Sequence, residues 1–124
     1  MLAATVSAIT LHCQARSVGP GSLRRGGTAG AECLLQASRN GCRPADYSLS
    51  SFGVDTVHSE TFRLQRRNDA CLVLVTESFR VVPQSPHVTA QRICTKLLRA
   101  GTDVVAARCT GNGPRTISLT KLTS

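Results

Sequence analysis

Tryptophan is missing from this chain of 124 residues, and its aromatic side chains are only Tyr47, Phe52, Phe62 and Phe79. A core must therefore come from Val, Leu, Ile, Ala and Cys, and the aromatic platforms that stack single-stranded bases are mostly missing. Lysine is scarce as well, with two Lys against thirteen Arg. No C-x-x-C occurs, nor any Cys or His pair spaced for a zinc finger or ribbon, so no metal is expected. "GTAGAEC" and "GNGP" lack the strand-then-helix context of a phosphate loop. There is no G-x-S-x-G, no Cys–His signature and no internal repeat, and "SLTKLTS" at the C-terminus matches no targeting signal. These absences leave no reason to expect a cofactor. The one apolar run, "MLAATVSAITL", is too short to cross a bilayer, so no transmembrane segment is expected.

Six scattered cysteines are what the chain does have. An even number without metal spacing reads as disulfides formed in an oxidising compartment, the alternative being buried free thiols in a cytosolic protein. The formal charge of +8 favours weak binding to nucleic acid, anionic lipid or acidic polysaccharide. The arginines are scattered, with only Arg24–Arg25 and Arg66–Arg67 adjacent, which is the pattern of solvated surface charge. The N-terminal apolar run resembles the hydrophobic part of a signal peptide without its basic start, and Gln14–Thr28 reads as a Gly/Ser/Pro/Arg linker. Residues 1–28 are thus expected to be a truncated leader and flexible linker, and residues 29–124 a single disulfide-stapled domain.

"TAGAECLLQASRNG" has the marks of a short helix: Thr28 to cap it, Glu32 in the first turn and Gly41 to end it. Ala31, Leu34, Leu35 and Ser38 form a narrow stripe suited to lie on a sheet. Strands are expected at Tyr47–Phe52, Val57–Arg66, Cys71–Val82, Thr89–Arg99, Val104–Cys109 and Thr116–Leu122. "RNDA", "PQSP", "AGTD" and "TGNGP" separate the later ones. The fold class is α+β: one helix packed on an antiparallel sheet of four to six strands, an order that resembles the cystatin-like architecture.

Cys94 and Cys109 lie equidistant from the Gly101–Thr102 bond. A tight turn there places them directly opposite one another, at a separation that disulfides allow. For the remaining cysteines the sequence leaves alternatives open. Cys33 can reach Cys42 only if the helix stops by Asn40 and the chain doubles back. Cys71 can instead pin the helix region to the sheet, and Cys13 is the odd one out if a leader is removed.

The same reasoning applied to a turn at Asn68–Asp69 brings Phe62 opposite Val75 and Leu64 opposite Val73. On that face Glu60 lands opposite Glu77, and His58 opposite Phe79. Two opposed carboxylates need a proton, a cation or a local bulge between them. A His58–Glu60–Glu77 cluster could serve acid–base catalysis, as in a small hydrolase or nuclease, or hold a metal. The plainer alternatives are splayed strands, or neutralisation by Arg80 or Arg92. His87 reads as a solvent-exposed loop residue, and His12 falls in the leader.

The stretch "AECLLQASRNGCRPADYSLSSFGVDT" resembles small uncharacterised bacterial exported proteins. In these a Cys-bearing helix is followed by C-x-P-A and, after a strand, by G-V-D-T. The resemblance rests on Cys33, Cys42, Pro44, Ala45, Gly53, Val54, Asp55 and Thr56, and covers roughly residues 31 to 66. It implies an extracytoplasmic domain, secreted or at the cell surface, and brings no activity or catalytic residue. Asp55 and Thr56 are candidate binding residues, although a bend at Gly53 with local backbone bonds explains them equally well. The expected function is a non-enzymatic binding or structural role; the alternatives are a cationic polyanion binder and a hydrolase using Glu60, Glu77 and His58.

Overall fold

The computed structural model describes residues 9–19, 24–25, 27–111 and 113–120. Strands β1 (Leu11–His12), β2 (Arg16–Val18) and β3 (Arg24–Arg25) precede helix α1 (Ala29–Arg39). Then follow β4 (Ala45–Phe52), β5 (Thr56–Arg67), β6 (Ala70–Val81), β7 (His87–Ala100), β8 (Asp103–Cys109) and β9 (Thr116–Ser118). The class is α+β. From β4 to β9 each strand pairs antiparallel with the next.

The sheet is mixed, because β1 and β2 both run parallel to β4 along its free edge, and β3 pairs antiparallel with β2. Strands thus occupy part of the stretch 1–28 that the sequence reads as leader and linker. The backbone of Leu11 bonds to Pro44 and that of Cys13 to Asp46, so the chain tracks β4 closely. His12, assigned to the leader by the sequence, lies beside Asp46 with Nδ1 2.9 Å from its carboxylate. Residues 1–8, 20–23 and 26 of that stretch, and Lys121–Leu122 of the expected last strand, fall outside the described residues.

Apolar side chains at alternate positions gather on one face of the meander. Phe62 and Leu64 of β5 stand opposite Val75 and Val73 of β6, and all four are buried with Tyr47, Val104 and Ala106. The helix lays Ala31, Leu34, Leu35 and Ala37 onto this face. Thr28 precedes the helix but makes no side-chain cap, and its backbone is already helical. Gly30 is needed where it stands: a Cβ there would lie 1.8 Å from the Gln14 carbonyl and 2.7 Å from the Tyr47 ring. Only a bare backbone lets helix, N-terminal segment and β4 meet so closely.

All six cysteines are paired. Cys94 and Cys109 are register partners joined by an S–S bond of 2.04 Å, across a hairpin with Gly101 in the left-handed region at its turn. Cys42 bonds Cys71, tying the helix exit to the β5–β6 hairpin, and Cys13 bonds Cys33, tying the N-terminal edge to the helix. Cys33 and Cys42 are not joined to each other, although the helix ends at Arg39 and the chain turns back at Gly41: each is bonded to a cysteine outside this segment.

The sheet curls so that the stretch after β9 reaches β2 and β4. The Arg16 guanidinium on β2 donates to the Thr120 carbonyl at 2.7 Å, and the Tyr47 hydroxyl on β4 donates to the Leu119 carbonyl at 3.2 Å. Thr120 is held in turn: its hydroxyl accepts from the Val104 amide and donates to the Asp103 carboxylate. The stretch after β9 thus closes the concave face over the core.

Candidate functional site

The helix covers one end of the concave face, and the other end stays open. There a cavity of about 370 Å³ lies between β4, β5, β6 and β7 on one side and Pro114 with β9 on the other. That volume falls within the roughly 300–1,000 Å³ of small-molecule sites. Its ionisable groups are His58, Glu60, Glu77 and Arg92, joined by the hydroxyl residues Ser51, Thr116 and Ser118.

Register brings the acidic pair together. Glu60 is opposite Glu77 and His58 is opposite Phe79, one step further along the same inner face as Phe62 and Val75. Just past Glu77 the β6–β7 ladder slips: Glu77 pairs with Ala90, whereas Ser78 pairs with Val88. The Thr89 hydroxyl of this bulge donates to the Glu77 carbonyl at 3.3 Å. Bulges of this kind twist a strand and re-aim its side chains beside sites.

The two glutamates have different surroundings. The Glu77 carboxylate lies 3.7 Å from the Arg92 guanidinium, and both side chains are largely buried. The Glu60 carboxyl is pushed above the ordinary carboxylate range by loss of solvent first and by the charge of Glu77 second; His58 and Arg92 pull the other way. One carboxylate is therefore paired and the other is held toward its neutral form. Arg92 is positioned from behind by the loop after β8. Gly113 has a positive φ (145°), and a Cβ there would lie 2.3 Å from the guanidinium.

Of the two cations that could neutralise the pair, Arg92 does so. Arg80 stands opposite Val57 and is out of phase with the inner face. Among the described residues no group of three or more His, Cys, Asp or Glu side chains is gathered for a metal ion. Asp55 and Thr56 lie in the β4–β5 turn, where the Gly53 amide donates to the Thr56 carbonyl at 2.8 Å and the Asp55 carbonyl accepts from the Val82 amide. His87 stacks edge-on against Phe79, with ring centroids 6.1 Å apart, at an exposed position. Ser51, Pro114 and the β9 residues carry no signal in the sequence, because they reach the cavity only through the curl of the sheet.

No protein-family model, curated protein or solved structure matches the chain.

Proposed function

We propose that this chain is an extracytoplasmic binding domain that takes a small polar molecule into the cavity ringed by His58, Glu60, Glu77 and Arg92. The carrying observation is the cavity itself: a concave, walled space with ionisable groups from adjacent strands aimed into it. Such convergence of a few polar groups at the end of an apolar face is the usual form of a ligand site. Three disulfides support an oxidising compartment. No helix among the described residues is long and apolar enough to cross a membrane. The resemblance of residues 31–66 to bacterial exported proteins points the same way. The test is a thermal-shift screen of small polar compounds on the wild type, Glu60→Gln and Arg92→Gln. Compounds that stabilise the wild type and lose that effect in both variants support the reading. A screen without hits, or hits indifferent to both changes, defeats it.

A second reading has its own support. A buried carboxyl held toward its neutral form beside one ion-paired to arginine is an arrangement used in acid–base catalysis. In that case Glu60 is the acid, Glu77 the base and His58 a proton carrier, in a small hydrolase. Hydrolytic activity that survives both Glu77→Gln and His58→Ala excludes it. Binding of polyanions through scattered arginine is the weaker alternative. Arg16, Arg66, Arg92 and Arg99 are already engaged with Thr120, Gly41, Glu77 and Glu32.

A further inference from the structure

Among the described residues the large hydrophobic side chains left exposed are Ile9, Phe52, Val54, Val81, Val82 and Val88. All but Ile9 belong to one end of the sheet, where the β4–β5 and β6–β7 hairpins turn. The two tips are joined: the Val82 amide donates to the Asp55 carbonyl at 2.8 Å, and Thr56 pairs with Val81. Val54 is 91% exposed and Val82 49%. The segment "VPQSP" at 82–86 carries no charge. The opposite end is different in kind: its turns bring Arg66, Arg67, Asp69, Arg99 and Asp103 together, and Ile9 is the one exposed large hydrophobic near it among the described residues. Single exposed valines need no explanation, but their collection on one tip does.

We infer that these two hairpin tips dock the protein on an anionic lipid surface. The tips are projecting turns, a shape that can enter the boundary between headgroups and acyl chains, whereas a protein partner would need a groove to receive them. The overall charge fits this occupant: the molecule carries +8, while on the tip itself Arg80 beside Val81 is balanced by Asp55 beside Val54. An anionic surface attracts such a molecule over a Debye length, and apolar side chains then hold it. A second copy is the poorer occupant, because joining two tips brings together two molecules of the same strong charge.

Sedimentation with vesicles tests the assignment. The wild type is expected to pellet with phosphatidylcholine vesicles containing phosphatidylglycerol, and less with phosphatidylcholine alone. Val54→Asp with Val82→Ser should lower the partition constant roughly tenfold or more, since full burial of a valine is worth more than the free energy of one decade. Ile9→Asp, away from the tips, should leave it unchanged. Because the chain has no tryptophan, Val54→Trp supplies a single reporter whose emission should shift to the blue on the anionic vesicles. This second variant keeps the test open should the polar pair unfold. Failure to pellet with anionic vesicles, pelleting that the folded Asp/Ser variant leaves intact, or tryptophan emission that does not move would each overturn the inference. So would self-association in sedimentation velocity that Val54→Asp abolishes.

Discussion

Glu60 is the residue whose chemistry depends most on its neighbours. Its proton affinity is raised by burial and then by Glu77. In Glu77→Gln the second cause disappears, so the Glu60 carboxyl should titrate lower while staying above the ordinary range, as followed by carboxyl carbon shifts against pH. Arg92→Gln should move it the opposite way. The sign for stability follows from linkage. The folded state holds this proton more tightly than the unfolded chain does, so the group costs nothing at acid pH. Stability then declines as pH rises from the ordinary carboxylate range to the raised folded value. Glu60→Gln should remove that decline and leave the protein more stable at neutral pH than the wild type. Denaturation midpoints across that window measure it. The opposition of Glu60 and Glu77 was legible in the sequence, because a turn at Asn68–Asp69 and a two-residue period leave few registers. The choice of Arg92 over Arg80 was not. It depends on a ladder slip at Ser78 and on a glycine loop that packs behind the guanidinium.

Among the elements, the helix is anchored at its start by an ion pair and near its exit by a disulfide. Arg99 of β7 forks onto the Glu32 carboxylate. This hydrogen bond is the main cause holding Glu32 below its ordinary range. Its contribution is complete above the unfolded carboxylate value and is lost as pH falls through the lower folded value. Arg99→Gln should therefore move acid unfolding to slightly higher pH, a small effect because the pair is exposed. The Cys94–Cys109 staple closes a separation of 15 residues. Replacing both by Ser should cost about 3 kcal/mol, read from reversible urea unfolding. Hairpins were legible because "RNDA" and "AGTD" announce their turns and apolar parity sets the register. β1 and β2 were not: at 2 and 3 residues they are too short to show a period. Their pairing is parallel and non-local, and Gly, Ser and Arg around them have the composition of a linker.

At the scale of the whole molecule, closure of the curled sheet creates the cavity. The Tyr47 hydroxyl and the Arg16 guanidinium catch the chain after β9, and β9 then becomes the far wall of the pocket. Tyr47→Phe should cost about 1 kcal/mol by stranding the Leu119 carbonyl. It should also loosen that wall, seen as faster hydrogen exchange at residues 117–120 with little change at the β5–β6 hairpin. Sheet curvature has no signature in any single segment, which is why half of the cavity lining was beyond sequence reasoning.

The order of the cystines along the chain has a consequence for biogenesis. Cys13 joins Cys33, Cys42 joins Cys71 and Cys94 joins Cys109. Each thiol thus takes the adjacent cysteine as its mate, and no covalent loop encloses another. A polypeptide threaded N-terminus first into an oxidant meets every correct mate before any competitor has emerged. Vectorial delivery alone can therefore write the native connectivity, with no isomerase to edit it.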